Sequence, residues 1–219
     1  MIRDGEMYDV QPQDRPIAYT KTPEFPNLGM YGSSEDITGG MGLEGVLELQ
    51  KFLTAGGVIM TLGNATTLPT DFGLARNING SRPTGNFYAP RPIVDGEITH
   101  PEHPIFYGYT GTTLPLKYTN GPLLQVPEAD QKEQVLMKFV GGDKAVLSGL
   151  MRGADQIKNR PAIMDVPVGE GRLLMYSTNP VYRWQNHGEF NMLFNALMNY
   201  DDLGPKAEEK PVTQDGSQH

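Results

Sequence analysis

Residues 57–70, GGVIMTLGNATTLP, join a short apolar run, Val58 to Leu62, directly to a turn of small polar residues. An apolar run without alternation is what a strand covered on both faces of a sheet requires. Upstream, Leu43, Val46, Leu47, Phe52 and Leu53 recur at helical spacing, while Glu44, Glu48 and Lys51 fall on the polar side. Gly56 and Gly57 end that helix, because glycine takes the left-handed C-terminal conformation at no steric cost. Helix, AGG turn, buried central strand and polar turn make half of a doubly wound α/β unit. Enzymes built this way can carry a nucleophile on the turn after the strand. Here that turn holds Gly63, Asn64, Ala65 and Thr66.

Outward from this unit the pattern thins. Residues 1–42 are rich in turn formers (QPQDRP, KTPEFPN, YGSSEDITGGMG) and read as an extended segment packing on the domain, with at most a short strand at Met7 to Val10. Residues 73–96 also read as loop. Strands are expected at Leu123–Val126, Val135–Val140 and Ala145–Leu150, and a hairpin across Gly169-Glu170-Gly171. Phe190, Leu193, Phe194, Leu197 and Met198 predict a last amphipathic helix. The domain therefore spans 43–203, and 204–219, without an apolar anchor, reads as a disordered tail.

The composition excludes several functions. With no cysteine among 219 residues, the chain has no disulfide, no thiolate metal site and no thiol nucleophile. A formal charge of −8, with singly scattered Lys and Arg, argues against a nucleic-acid partner. No run is long enough to span a membrane. Gly40, Gly42 and Gly45 have GxGxxG spacing, but SSEDIT before them is no strand, so no dinucleotide cofactor is expected.

Three clusters remain. His100, Glu102 and His103 lie together in HPEHP, where zinc would find ligand types it uses, although Pro101 and Pro104 hold the stretch extended and turn neighbouring side chains apart. Asn64, Thr66 and Thr67 crowd the turn after the strand; a Thr66 nucleophile would need a base, for which His187 is the candidate. The alternative is that these groups cap local backbone. YRWQNHGE, residues 182–189, sets Arg183, the single tryptophan Trp184, His187 and Glu189 just before a helix, for binding or for packing.

GLEGVLELQKFLTAGGVIMTLGNAT resembles the helix, turn, strand and elbow of class I glutamine amidotransferase-like domains, whose nucleophilic cysteine would fall at Gly63 or Asn64. DVPVGEGRLLMYSTNPVYRWQNHGEFNMLFNAL resembles the closing part of that fold, and HPEHPIFYG a segment of trehalose-utilisation-type relatives. TKTPEFPNLG, DITGGMGLEGVLELQKFL, PTDFGLAR and RWQNHGEFNMLFNAL are similar to the C-terminal amidotransferase-like domain of bacterial zinc carboxypeptidase-like proteins. The resemblance, over residues 17–200, implies a three-layer, flavodoxin-like α/β sheet with added β-hairpins, following a metallopeptidase domain in an exported protein. The peptidase's own metal motif is absent, and the first βα unit is missing, which would leave a sheet edge to be covered.

The expected function is thus a non-catalytic accessory domain, a pseudoenzyme that binds or docks, with no metal and no cofactor. Its partner would be an upstream peptidase domain or another chain, and its ligand a peptide or a sugar. The candidate ligand residues are Asn64, Thr66, Asn179, Arg183, His187 and Glu189. The alternatives are a hydrolase using Thr66 with His187, a metal site at His100 and His103, and a purely structural domain.

Overall fold

Gly42, at φ +63°, opens helix α1 (Gly42–Thr54) in the computed structural model, which describes residues 17–37, 41–127, 134–142 and 145–204. Strand β1 (Val58–Leu62) follows the glycine turn, and a 3₁₀ turn, Gly63–Thr66, leads to the short helix α2 (Thr67–Asp71). Next come β2 (Asn79–Ser81), β3 (Ile93–Ile98), β4 (Thr113–Lys117), β5 (Leu123–Gln125), β6 (Val135–Phe139) and β7 (Val146–Ser148). The hairpin of β8 (Pro161–Val168) and β9 (Gly171–Tyr176) and helix α3 (Phe190–Met198) complete the core. The Met7–Val10 strand, the 205–219 tail and Gly40 lie outside the described residues.

The main sheet has the order β1-β9-β8-β6-β3-β4, with β7 also pairing with β3, while β2 and β5 form a separate pair. Among the described strands only β1 and β9 run parallel; all other neighbours are antiparallel. On one face Val46 and Leu53 of α1 pack on Met164, Val166, Leu173 and Met175. On the other, Met192 and Ala196 of α3 join Phe106, Ile163, Leu174 and Tyr176. The result is a three-layer, flavodoxin-like α/β arrangement with a largely antiparallel second half.

Several expectations change. β1 is an edge strand, not a central one: no described strand pairs with its outer side. Val58, Met60 and Leu62 pack toward the α3 face and Ile59 toward the α1 face, so both faces are covered, but these residues are only half-buried. The loop expected over 73–96 contains β2 and the start of β3. Strand β3 hides its nature behind Asp95 and Gly96. Gly96 is there because a Cβ would lie 2.5 Å from Leu116 Cδ1 and 2.8 Å from Met137 Cε, side chains of the two flanking strands. Strand β4 was obscured by Pro115, tolerated because β4 is the sheet's other edge. The apolar stripes were also too wide: Leu43, Leu47 and Phe52 of α1 and Phe194, Leu197 and Met198 of α3 are exposed.

Candidate functional site

Because β1 and β9 are parallel, Leu62 and Tyr176 end side by side, and both chains turn at the same end of the sheet. Gly63 donates its N–H to the Thr178 carbonyl at 2.8 Å. Its φ of +57° gives the strand-to-turn kink on which an elbow would raise a nucleophile. A Cβ on Gly63 would lie 3.2 Å from Thr119 Oγ1 and 3.7 Å from Asn179 Cβ. The place a reactive side chain would enter is bounded by those two residues.

Asn64 is exposed beside this kink, whereas Thr66 is fully buried. The Thr66 hydroxyl donates to the Tyr176 carbonyl at 2.7 Å and lies 3.2 Å from Thr61 Oγ1. Thr66 is therefore a staple between β1 and β9, and neither a ligand contact nor an accessible nucleophile. The neighbouring Thr67 hydroxyl binds the Asn64 carbonyl, closing the turn.

The segment after β9 returns over the same end. Asn179 Oδ1 accepts from the Val181 N–H, and Asn186 Nδ2 donates to the Pro115 carbonyl. Between them Arg183 and Trp184 both hold left-handed backbone, at φ +50° and +55°. Such conformations cost non-glycine residues roughly 1–3 kcal/mol each and concentrate at functional positions. Trp184 is 76% exposed, edge-on to His187 and Phe190 at 5.7 and 6.0 Å. The guanidinium groups of Arg91 and Arg183 lie over the Tyr182 ring, each 5.3 Å from its centroid. His187 Nε2 meets the Trp184 carbonyl at 2.9 Å, so this nitrogen must carry the proton and is no base for Thr66.

Glu189, the last candidate, is fully buried and so faces no ligand. Its Oε1 accepts from the Lys117 N–H at 2.7 Å, while Oε2 has no partner among the described residues. Burial pushes its carboxyl up to about 8, despite the Lys117 amide pulling the other way. The nearby Tyr109 hydroxyl, which donates to the Gly188 carbonyl, is raised to about 12, also by burial. Asn64, Asn179, Arg183 and His187 thus gather at the elbow end, with Thr66 and Glu189 in the core beneath.

The opposite end carries a different arrangement, largely missed from sequence. His103 and His100 turn to different carboxylates: His103 Nε2 to Asp165 Oδ2 at 3.0 Å, His100 Nδ1 to Glu102 Oε1 at 2.8 Å. The Ile105 N–H donates to His103 Nδ1, which leaves Nε2 as the donor to Asp165. Arg172 grips the same carboxylate through Nε at 3.0 Å and Nη2 at 2.6 Å. Asp165 is 1% exposed, and this bidentate pair and the imidazole give its buried oxygens their partners. The hairpin register could have revealed the pair: Asp165 faces Leu174, two residues from Arg172 on the same face. The network walls a cavity of about 630 Å³, which Tyr107, Leu136, Asp202 and Leu203 also line.

Among the described residues no group of three or more His, Asp or Glu side chains could hold a metal ion, and no described helix is long and apolar enough to cross a membrane. No family model matches the chain, and no curated protein matches it. Solved structures do. "Cytoplasmic Protein STM3548 from Salmonella typhimurium" aligns with 71% of this chain and 59% of its own at 12% identity, TM-score 0.45. A β-galactosidase from Bacillus circulans sp. alkalophilus aligns over 74% of this chain and 21% of its own, at 11% identity and TM-score 0.46. A putative ThuA-like protein from Parabacteroides merdae covers 67% of this chain and 56% of its own, at 11% identity and TM-score 0.39. The chain thus spans about three fifths of the first and a fifth of the second. These are likenesses of fold, and they include the trehalose-utilisation type.

Proposed function

We propose that this chain is a non-catalytic, amidotransferase-like accessory module that docks onto a zinc carboxypeptidase-type polypeptide through the elbow end of its sheet. One observation carries the reading: the left-handed elbow position is Gly63, and Thr119 and Asn179 bound the space its side chain would need. The Thr66 hydroxyl, on the turn that follows Gly63, is spent on the Tyr176 carbonyl. What the same end offers to solvent is recognition chemistry. Trp184 stands out on a strained loop, Asn64 and Arg183 are exposed nearby, and no described strand pairs with the outer side of β1, where a partner's strand could add. Exposed tryptophan and arginine are the residue types that dominate binding energy at interfaces.

The test is co-expression with a zinc carboxypeptidase-type polypeptide from the same source, followed by size-exclusion chromatography and tryptophan fluorescence. A one-to-one complex should form, and the emission of Trp184 should shift to the blue as the indole leaves water. Trp184→Ser should weaken association at least about tenfold, in line with a tryptophan at an interface centre. No complex and an unshifted emission would rule docking out; glutaminase activity in the purified chain would rule out the non-catalytic reading.

A further inference from the structure

At the end of the sheet opposite the elbow, the charges around the cavity do not cancel. Among the described residues Arg172 is the one arginine or lysine lining it, and its Nε–Nη2 edge is committed to Asp165, whose charge offsets its own. Once that pair is set against itself, the exposed Asp202 and Glu102, the latter with one oxygen 2.8 Å from His100 Nδ1, supply the acidic groups at the mouth. The hydrogen bond from His100, the largest influence on it, holds the Glu102 carboxyl below the usual carboxylate range, so this charge persists at neutral pH. Beneath the mouth, Leu136 and Leu203 give an apolar floor, and Tyr107 presents a half-exposed ring.

We propose that this cavity binds a cationic group on an apolar stem, an alkylammonium or alkylguanidinium, either as a free amine or as a lysine or arginine side chain of a peptide. The stem lies on Leu136 and Leu203, and the head meets Glu102 and Asp202 with the Tyr107 ring beside it, an arrangement in which ring and carboxylates both favour a cation. A volume of about 630 Å³ accommodates a ligand of that size. The buried Asp165–Arg172–His103 network keeps the wall rigid; it makes no contact with the cation. The proposal is independent of docking at the elbow, since the two sites lie at opposite ends of the strands.

The experiment is a two-dimensional amide NMR titration of the full chain with 1,5-diaminopentane and with Nα-acetyl-lysine methylamide. Glutarate, of similar length and opposite charge, and glucose serve as comparison ligands. The diamine or the lysine amide should shift the Tyr107, Gln134 and Arg172 signals saturably, and the tighter of the two identifies a free or a peptide-borne source. Glu102→Gln with Asp202→Asn, both exposed and harmless to folding, should weaken binding about fivefold to tenfold. Equal shifts with glutarate or glucose, no saturable shift with either amine, or unchanged affinity in the double variant would each overturn the assignment.

Discussion

The two ends of one sheet handle buried polarity in opposite ways. At the elbow end the buried groups are neutral. Thr66 and Ser177 donate hydrogen bonds to the carbonyls of Tyr176 and Pro122, and burial raises the buried acid there, Glu189, until it holds its proton near neutral pH. At the far end the Asp165 carboxyl is partnered instead, with Arg172 and His103 converging on it from two other segments. A carboxyl removed from water must find a partner or keep its proton, and this protein does each once.

That contrast can be broken by pH. The Glu189 carboxyl sits near 8 when folded, against an ordinary 4.5. As pH rises from about 4.5 to 8, the unfolded chain releases this proton while the folded chain retains it. Stability should therefore fall across that window, by on the order of 5 kcal/mol, and level off above it. Glu189→Gln should flatten the profile, measured as urea midpoints between pH 5 and 8.5; a flat wild-type profile would show that the acid is ionised after all.

Charge pairing is tested next. Arg172→Ala should cost about 3–5 kcal/mol in chemical denaturation, because it strands the Asp165 carboxylate in the core. Replacing both partners by apolar residues, Asp165→Leu with Arg172→Met, should recover most of that loss. If the double change is as damaging as the single one, the network does more than satisfy itself.

Smaller effects separate strain from contact at the elbow. Gly63→Ala should cost about 1–2 kcal/mol, since it combines a left-handed backbone with a close approach to Thr119. Trp184→Ser should change the stability of the isolated chain by no more than about 0.5 kcal/mol, because the ring stands largely in water. A large destabilisation there would make Trp184 a packing residue and weaken the case for docking.

Much of this was legible in one dimension. The α1–β1 unit, the β8–β9 hairpin and α3 announce themselves by period and punctuation, and each forms where its residues place it. Strands β3 and β4 did not, since Gly96 and Pro115 break the local signal for reasons that lie on neighbouring strands and at a sheet edge. Of the candidate residues, Asn64, Asn179, Arg183 and His187 do gather at one end. Thr66 and Glu189 look alike in sequence to exposed polar groups, and only the packing of β9 and α3 over them shows otherwise.

By itself the sequence determined the absence of thiol chemistry and the identity of the local elements, because composition and short-range periodicity are properties of the chain alone. Which strand lies at the edge, which acid keeps its proton and which histidine meets Asp165 were decided only in three dimensions. Those outcomes depend on contacts between residues far apart in the chain, such as His103 with Asp165, 62 positions away, and on the exclusion of water that such contacts create.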